Sequence, residues 1–196
     1  MFSKKNKKKG FTLIEMLIVI VIIGILAAAL IPRLSSARGR ANDVARKADL
    51  AQTAAALVSY QIDHGSFPTT VGSLTLISAG LISAGMSSIP EDPNSNRSFV
   101  GISNLTIAGG QFGYTPIHKG GISANGFVLM AGTETEGGSN WVVNSAMPVI
   151  DSAATYENIS ANLCKTFDST CSAALPVNGE CCYNKNSDQL RYIYIY

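Results

Sequence analysis

The sequence has little of what an enzyme or a nucleic-acid binder requires. It holds only two histidines, His64 and His118, and neither stands in a pattern with a nucleophilic serine or cysteine. No catalytic residue is predicted, and the chain is read as a non-enzyme without a cofactor. Charged residues make up 14% of the chain and are unevenly placed. The first ten positions hold no acid but five of the 15 basic residues, Lys4, Lys5, Lys7, Lys8 and Lys9. Beyond them 10 basic residues face 13 acidic ones, a net charge of −3. There is no direct case for nucleic acid, which calls for a basic stripe or patch. Paired CxxC motifs are missing and no histidine lies near the cysteines, which argues against zinc.

One long apolar run is present. Phe11 to Ile31 reads FTLIEMLIVIVIIGILAAALI, with Glu15 as its only charge. As a helix it spans about 32 Å, roughly the hydrocarbon thickness of a bilayer. The lysines before it favour a cytoplasmic N-terminus, and Arg33, Arg38 and Arg40 beyond it weaken that contrast. A secretory signal peptide shares the basic start, and Ala27, Ala28 and Ala29 imitate its cleavage site, but its apolar region is shorter. A carboxylate in such a run costs about 2.5 to 3.5 kcal/mol on insertion scales, so Glu15 marks a function or a counter-charge. Candidates for that charge are the Phe11 amine, the helix dipole, the amine of an incoming neighbour, or headgroups and water at the membrane surface.

The segment KKKG-FTLIEMLIVIVIIGILAAALIP resembles the class III signal of type IV prepilins and pseudopilins. The basic leader ends at Gly10, the aromatic Phe11 opens the mature chain, Glu15 is its fifth residue and Pro32 its twenty-second. The resemblance implies cleavage between Gly10 and Phe11 by a membrane prepilin peptidase and N-methylation of Phe11. It further implies pairing of Glu15 with the Phe11 amine of a neighbour. The expected partners are therefore copies of the chain in a helical filament, the peptidase, the inner-membrane assembly machinery, and the membrane before assembly.

Gly24 and Pro32 punctuate this helix; Pro32 either kinks it near residues 28 to 32 or ends the membrane segment. Leu34, Ala37, Ala41, Val44, Ala48, Ala51, Ala55, Val58 and Ile62 then continue an apolar row at three- and four-residue steps. This row is expected to pack on a sheet, with Arg38, Arg40, Asp43, Arg46, Lys47, Asp49 and Gln52 on the other faces. His64 followed by Gly65 reads as the helix end.

Beyond Gly65 the composition turns to Gly, Ser, Thr, Asn and Pro, opening a globular head. Two tandem LISAG copies, residues 76–80 and 81–85, are too few for a solenoid. The run from SFP to IPEDPNSN resembles the helix-to-sheet connection of pilins and major pseudopilins. Strands are predicted at Gln111–Ile117, Gly126–Gly132, Asn140–Ser145 and Arg191–Tyr196, joined as a meander through turns at Asn125-Gly126 and Glu136 to Ser139. Trp141, Phe127, Leu129 and Val143 are candidates for the face under the helix.

Cys164, Cys171, Cys181 and Cys182 are disulfide candidates; cross-links between the first two and the last two are preferred over a strained bridge between neighbours. Major pseudopilins, by resemblance, hold calcium in a head loop, which makes Glu134 and Glu136 weak metal candidates, with Glu91, Asp92 and Asp151 behind them. No EF-hand pattern is present.

The predicted architecture is α+β, the pilin fold. A leader (1–10) precedes a transmembrane and assembly helix (11–33), its amphipathic second half (34–64) and a head with an antiparallel sheet (65–196). The predicted function is a structural subunit of a type IV pilus-like surface filament for adhesion, twitching motility or DNA uptake. The alternatives are a periplasmic pseudopilin of type II secretion and a membrane-anchored binding domain that does not polymerise.

Overall fold

The computed structural model describes residues 10–101, 105–143, 150–168, 179–182 and 190–196. The leader before Gly10, Cys171, and the end of the expected Asn140–Ser145 strand lie outside them. Helix α1 spans Leu13–His64 and runs through Gly24 and Pro32 without a break. It ends as its sequence predicts: the Gly65 N–H donates to Gln61 O at 2.7 Å, and the His64 ring stacks on Tyr60 with centroids 3.9 Å apart. The chain divides into two compact units, one ending at Arg38 and the other Gly39–Tyr196.

In the first unit the side chains from Phe11 to Ile31 are exposed. Among the described residues of the second, two short helices, α2 (Ser78–Ser83) and α3 (Tyr156–Ala161), accompany nine strands. These are β1 (Gly72–Ser73), β2 (Phe99–Val100), β3 (Thr106–Ile107), β4 (Gly113–Lys119), β5 (Ile122–Gly132), β6 (Trp141–Val142), β7 (Thr166–Asp168), β8 (Glu180–Cys182) and β9 (Leu190–Ile195). The main sheet has the order β1-β4-β5-β9-β6 with antiparallel neighbours. The pairs β2–β3 and β7–β8 stand apart from it.

The sheet is not the predicted meander, because the C-terminal strand β9 inserts between β5 and β6. Its alternating Tyr192, Ile193, Tyr194 and Ile195 supply one apolar row to each face, which suits a central strand better than an edge. The hairpin turn also moves. Asn125 and Gly126 lie within β5, and the chain reverses at Gly120-Gly121, both at positive φ, between the paired Lys119 and Ile122. A two-residue loop with left-handed backbone at both positions favours glycine twice, so Gly-Gly outcompetes Asn-Gly here. The stretch from Glu136 to Gly138 forms a 3-10 turn.

Both faces of the sheet are buried. Phe112, Tyr114, Phe127, Leu129 and Ala131 share a core with Leu50, Ala54 and Leu57 of α1 and with Phe67, Leu74 and Leu81. Ile117, Val128, Met130, Trp141, Val142 and Ile193 form a second core with Ile150, Ile159, Cys164 and Cys181. Phe127 and Leu129 thus lie under the helix as predicted, but Trp141 and Val143 belong to the opposite face. Alternation could not have told the faces apart in a strand buried on both sides, as β5 is from Phe127 to Gly132.

The predicted inner face of α1 is also corrected. Within the second unit Ala41, Val44, Ala48, Ala51, Ala55 and Ile62 are exposed, Val44 at 67% and Ile62 at 79%, and Val58 is half-buried. The face against the sheet is instead Asp43, Arg46, Leu50, Thr53, Ala54 and Leu57. Two rows of helical period run along α1, and the buried one is masked in the sequence by its paired charges.

This inversion sets the stability expected of single substitutions. Leu57→Ala should cost about 2–5 kcal/mol, the range for a buried leucine. Val44→Ala should change stability by less than about 0.5 kcal/mol, as exposed positions do. Unfolding of the detergent-solubilised chain followed by circular dichroism measures both, and equal effects would contradict the assignment of faces.

Candidate functional site: the N-terminal helix and the Arg46 clamp

The start of α1 follows from its first residues. Thr12 caps the helix: its N–H and its hydroxyl both donate to Glu15 Oε2 at 2.7 Å, and its Oγ1 accepts from the Glu15 N–H at 3.3 Å. This is the reciprocal capping box, in which the cap and the third helical residue satisfy each other's open donors. The sequence carried its signature, Thr12-Leu13-Ile14-Glu15, which the charge argument about Glu15 passed over. Glu15 therefore holds the helix start within its own chain, and its Oε1 takes no part in that box. Gly10 and Phe11 precede the first turn and are exposed, so the bond between them lies outside the helical ladder. Such exposed, unpaired backbone is where proteolysis concentrates.

In the second unit the charged part of α1 is anchored by Arg46. Its Nε and Nη2 donate to the two oxygens of Asp92 at 2.8 Å each, a bidentate pair across 46 residues of sequence. Nη1 donates to Asp43 Oδ1 at 2.8 Å, and Nη2 also reaches Glu134 Oε1 at 2.9 Å. Asn42 Nδ2 donates to the same Glu134 oxygen at 3.0 Å. The Asp43 carboxylate accepts further from the Glu134 and Thr135 N–H groups and from the Thr135 hydroxyl, at 3.0, 2.9 and 2.6 Å. Arg46 and Asp43 are only 1% and 2% exposed. Gly138 packs so tightly on the Asp43 carboxylate that any Cβ there would clash.

The electrostatics follow from this geometry. Burial alone would lower the pKa of Arg46, but the hydrogen bonds and charges of Asp92, Glu134 and Asp43 raise it well above its ordinary value. Burial would raise Glu134, but the Arg46 and Asn42 hydrogen bonds outweigh it and hold the carboxyl below the usual range. Asp49 is pushed up, by burial first and then by the Asp92 charge. The sequence placed Asp43 and Arg46 on faces other than the one expected to pack on the sheet. Their three-residue spacing was a signal for pairing, whereas nothing local pointed to Asp92 or Glu134.

The calcium candidates meet differently from that expectation. Glu134 and Asp92 converge on a guanidinium, Asp151 accepts from the Ala153 N–H, and Glu136 lies in the 3-10 turn. Among the described residues no three His, Cys, Asp or Glu side chains are grouped to hold a metal ion. Cys164 and Cys181 form a disulfide, joining the two cysteine groups as preferred; Cys182 is also disulfide-bonded.

Comparisons with known proteins bear on the N-terminal segment first. Residues 5–31 match the prokaryotic N-terminal methylation motif. A type IV wide pilus major component of Thermus thermophilus is 50% identical over 82 residues, which is 42% of this chain and 57% of that protein. The type II secretion system core protein G of Pseudomonas aeruginosa is 40% identical over 67 residues, 34% of this chain and 47% of that one. Its namesake in Escherichia coli is 38% identical over 65 residues, 33% and 45% of the two chains. The chain thus spans about half the length of the curated relatives it matches. No solved structure matches at a significant level. With its match to the methylation motif, its relatives of both kinds and its helix followed by an antiparallel sheet, the chain is similar to type IV pilins and pseudopilins.

Removing one member of a buried ionic cluster costs about 3–5 kcal/mol, because its partners stay buried without compensation. Arg46→Met should lose about that much, and adding Asp92→Asn should recover part of it; thermal unfolding at neutral pH checks both. Glu134's part of the pH dependence has a fixed sign. Glu134 titrates lower folded than unfolded, so its contribution is complete above about pH 4.3 and is lost as pH falls through the folded value. The thermal unfolding midpoint should therefore fall as the pH drops below about 4.3, and fall less steeply in Glu134→Gln.

Proposed function

We propose that this chain is a prepilin, cut between Gly10 and Phe11 by a prepilin peptidase, N-methylated at Phe11 and assembled through α1 into a type IV pilus-like surface filament. One observation carries the reading: the helix begins two residues past an exposed Gly10-Phe11 bond, exposes its apolar side chains to Ile31, and carries one carboxylate, Glu15. Such a segment is long and apolar enough to cross a membrane. Outside lipid the same surface needs other apolar helices against it. In assembly the amine of a neighbouring Phe11 offers Glu15 a charge-assisted bond, offsetting the cost of its carboxylate among apolar side chains. The role is structural, with no reaction assigned, and it suits adhesion, twitching motility or DNA uptake. The precursor rests in the cytoplasmic membrane and meets the assembly machinery there.

The pseudopilin reading is second. The pilus component is matched at higher identity and over a longer stretch than the secretion proteins, 82 residues against 67, which favours the pilus. Mass spectrometry of sheared surface filaments tests the assignment. The expected result is a mature chain beginning at N-methyl-Phe11. Retention of the leader in cells with active peptidase, or a subunit found only in the periplasm, would count against it. Glu15→Gln keeps the capping geometry but removes the charge. It should lower filament yield by about tenfold, an ion-pair effect of about 1.4 kcal/mol; unchanged yield would remove the pairing from the account.

A further inference from the structure

The head holds a cleft of about 200 Å³ that the filament reading leaves without a use. Its walls are residues 89–95, the turn at 109–112 that leads into β4, and the start of the 3-10 turn Leu74–Ile77. Backbone bonds tie these segments together. Asp92, whose side chain is held by Arg46, donates its N–H to Gly110 O at 3.0 Å, and the Asn94 N–H donates to Asp92 Oδ1 at 2.8 Å. On the other side the Leu74 N–H donates to Phe112 O at 2.9 Å. Gly109 lies so close to Ser95 that any Cβ there would strike the Ser95 carbonyl. The cleft is thus bounded by bonded backbone, with the Arg46 clamp behind one wall.

Its lining is of two kinds. Leu74, Ile89, Pro90 and Phe112 supply apolar surface. Glu91, Ser95 and Gln111 supply polar side chains that bond to no other described residue, whereas the Ser73 and Thr75 hydroxyls satisfy each other at 2.7 Å. No lysine, arginine or histidine lines it. The volume lies below the about 300–1,000 Å³ of pockets for drug-sized ligands, so it admits a single ring. A carboxylate that only accepts, beside an amide and a hydroxyl that both donate and accept, matches a ligand carrying several hydroxyls. With a carboxylate present and no cation, phosphate, sulfate and acidic sugars are disfavoured. Calcium takes about six to eight oxygen ligands, and Glu91 is the one carboxylate in this lining, Asp92 being turned to Arg46. The apolar wall fits the C–H face of a sugar ring, whose burial it rewards.

We infer that this cleft binds one ring of a neutral saccharide, with Glu91, Ser95 and Gln111 taking its hydroxyls and Ile89 and Pro90 its C–H face. The inference concerns the head alone and goes beyond the filament reading. Only the use of the site in adhesion rests on that reading, since copies repeated along a surface fibre let individually weak sites act together.

The test titrates the full-length chain, in a detergent without a sugar headgroup, with the methyl glycosides of glucose, galactose, mannose and N-acetylglucosamine, read by saturation-transfer NMR. At least one should saturate with a dissociation constant on the order of 1 mM. Glu91→Ala and Gln111→Ala should each weaken it by about tenfold or more, and the uronic acid of the same sugar should bind about tenfold more weakly than the neutral form. An unaltered thermal midpoint reports that each variant is folded. No saturation by any of the four up to about 50 mM overturns the inference. Binding that survives both substitutions, or that goes equally to the uronic acid, overturns it as well. Leader removal and the yield of sheared filament are scored separately, so failure here leaves the filament reading in place and failure there leaves the cleft in place.

Discussion

The guanidinium of Arg46 joins three segments that are far apart in sequence, and its bonds determine which way the head-proximal part of α1 faces. Asp43 lies on the same helix, Asp92 in the connection between α2 and β2, and Glu134 in the loop after β5. With this cluster satisfied, the charged row can turn inward and lie over the sheet beside Leu50 and Leu57. If the alanine row faced inward instead, Asp92 and Glu134 would lose their cation, and Leu50 and Leu57 would be left in water. Each buried leucine is worth about 1.5–3 kcal/mol by transfer from water, whereas alanine supplies much less. Burial and ion pairing therefore choose the same face.

That choice leaves the outer row of α1 exposed. A helix packed by its apolar face alone would have a polar outside and nothing to offer a neighbour. Here the inward face combines leucines with compensated charges, and the outward face is apolar and mostly small. The head on the other side of the sheet is closed separately by α3 and by the segment holding the Cys164–Cys181 bridge. A disulfide closing a loop of this size adds about 3 kcal/mol by restricting the unfolded chain. The second core and its staple thus stabilise the head without using the helix face.

The sequence made the N-terminal half legible because its signals are local. The apolar run that opens α1 is contiguous, and the end of α1 at His64 follows from the glycine after it. The strands β4, β5 and β9 were also within reach, since apolar alternation and turn glycines mark them. What escaped was long-range. The choice between the two rows of α1 depends on Asp92 and Glu134, residues 46 and 88 positions from Arg46. The insertion of β9 between β5 and β6 depends on a pairing that no short window contains, and it sent Trp141 to the opposite face. Thr12 was legible but unread, its capping signature hidden beneath the argument about membrane charge.

The facing of α1 can be measured directly in the detergent-solubilised chain. A thiol-reactive maleimide should label Val44→Cys rapidly and Leu50→Cys slowly, and adding Arg46→Met should speed the labelling of Leu50→Cys. Rapid labelling at Leu50→Cys with protection at Val44→Cys would contradict the account, because the alanine row would then be the one held against the sheet.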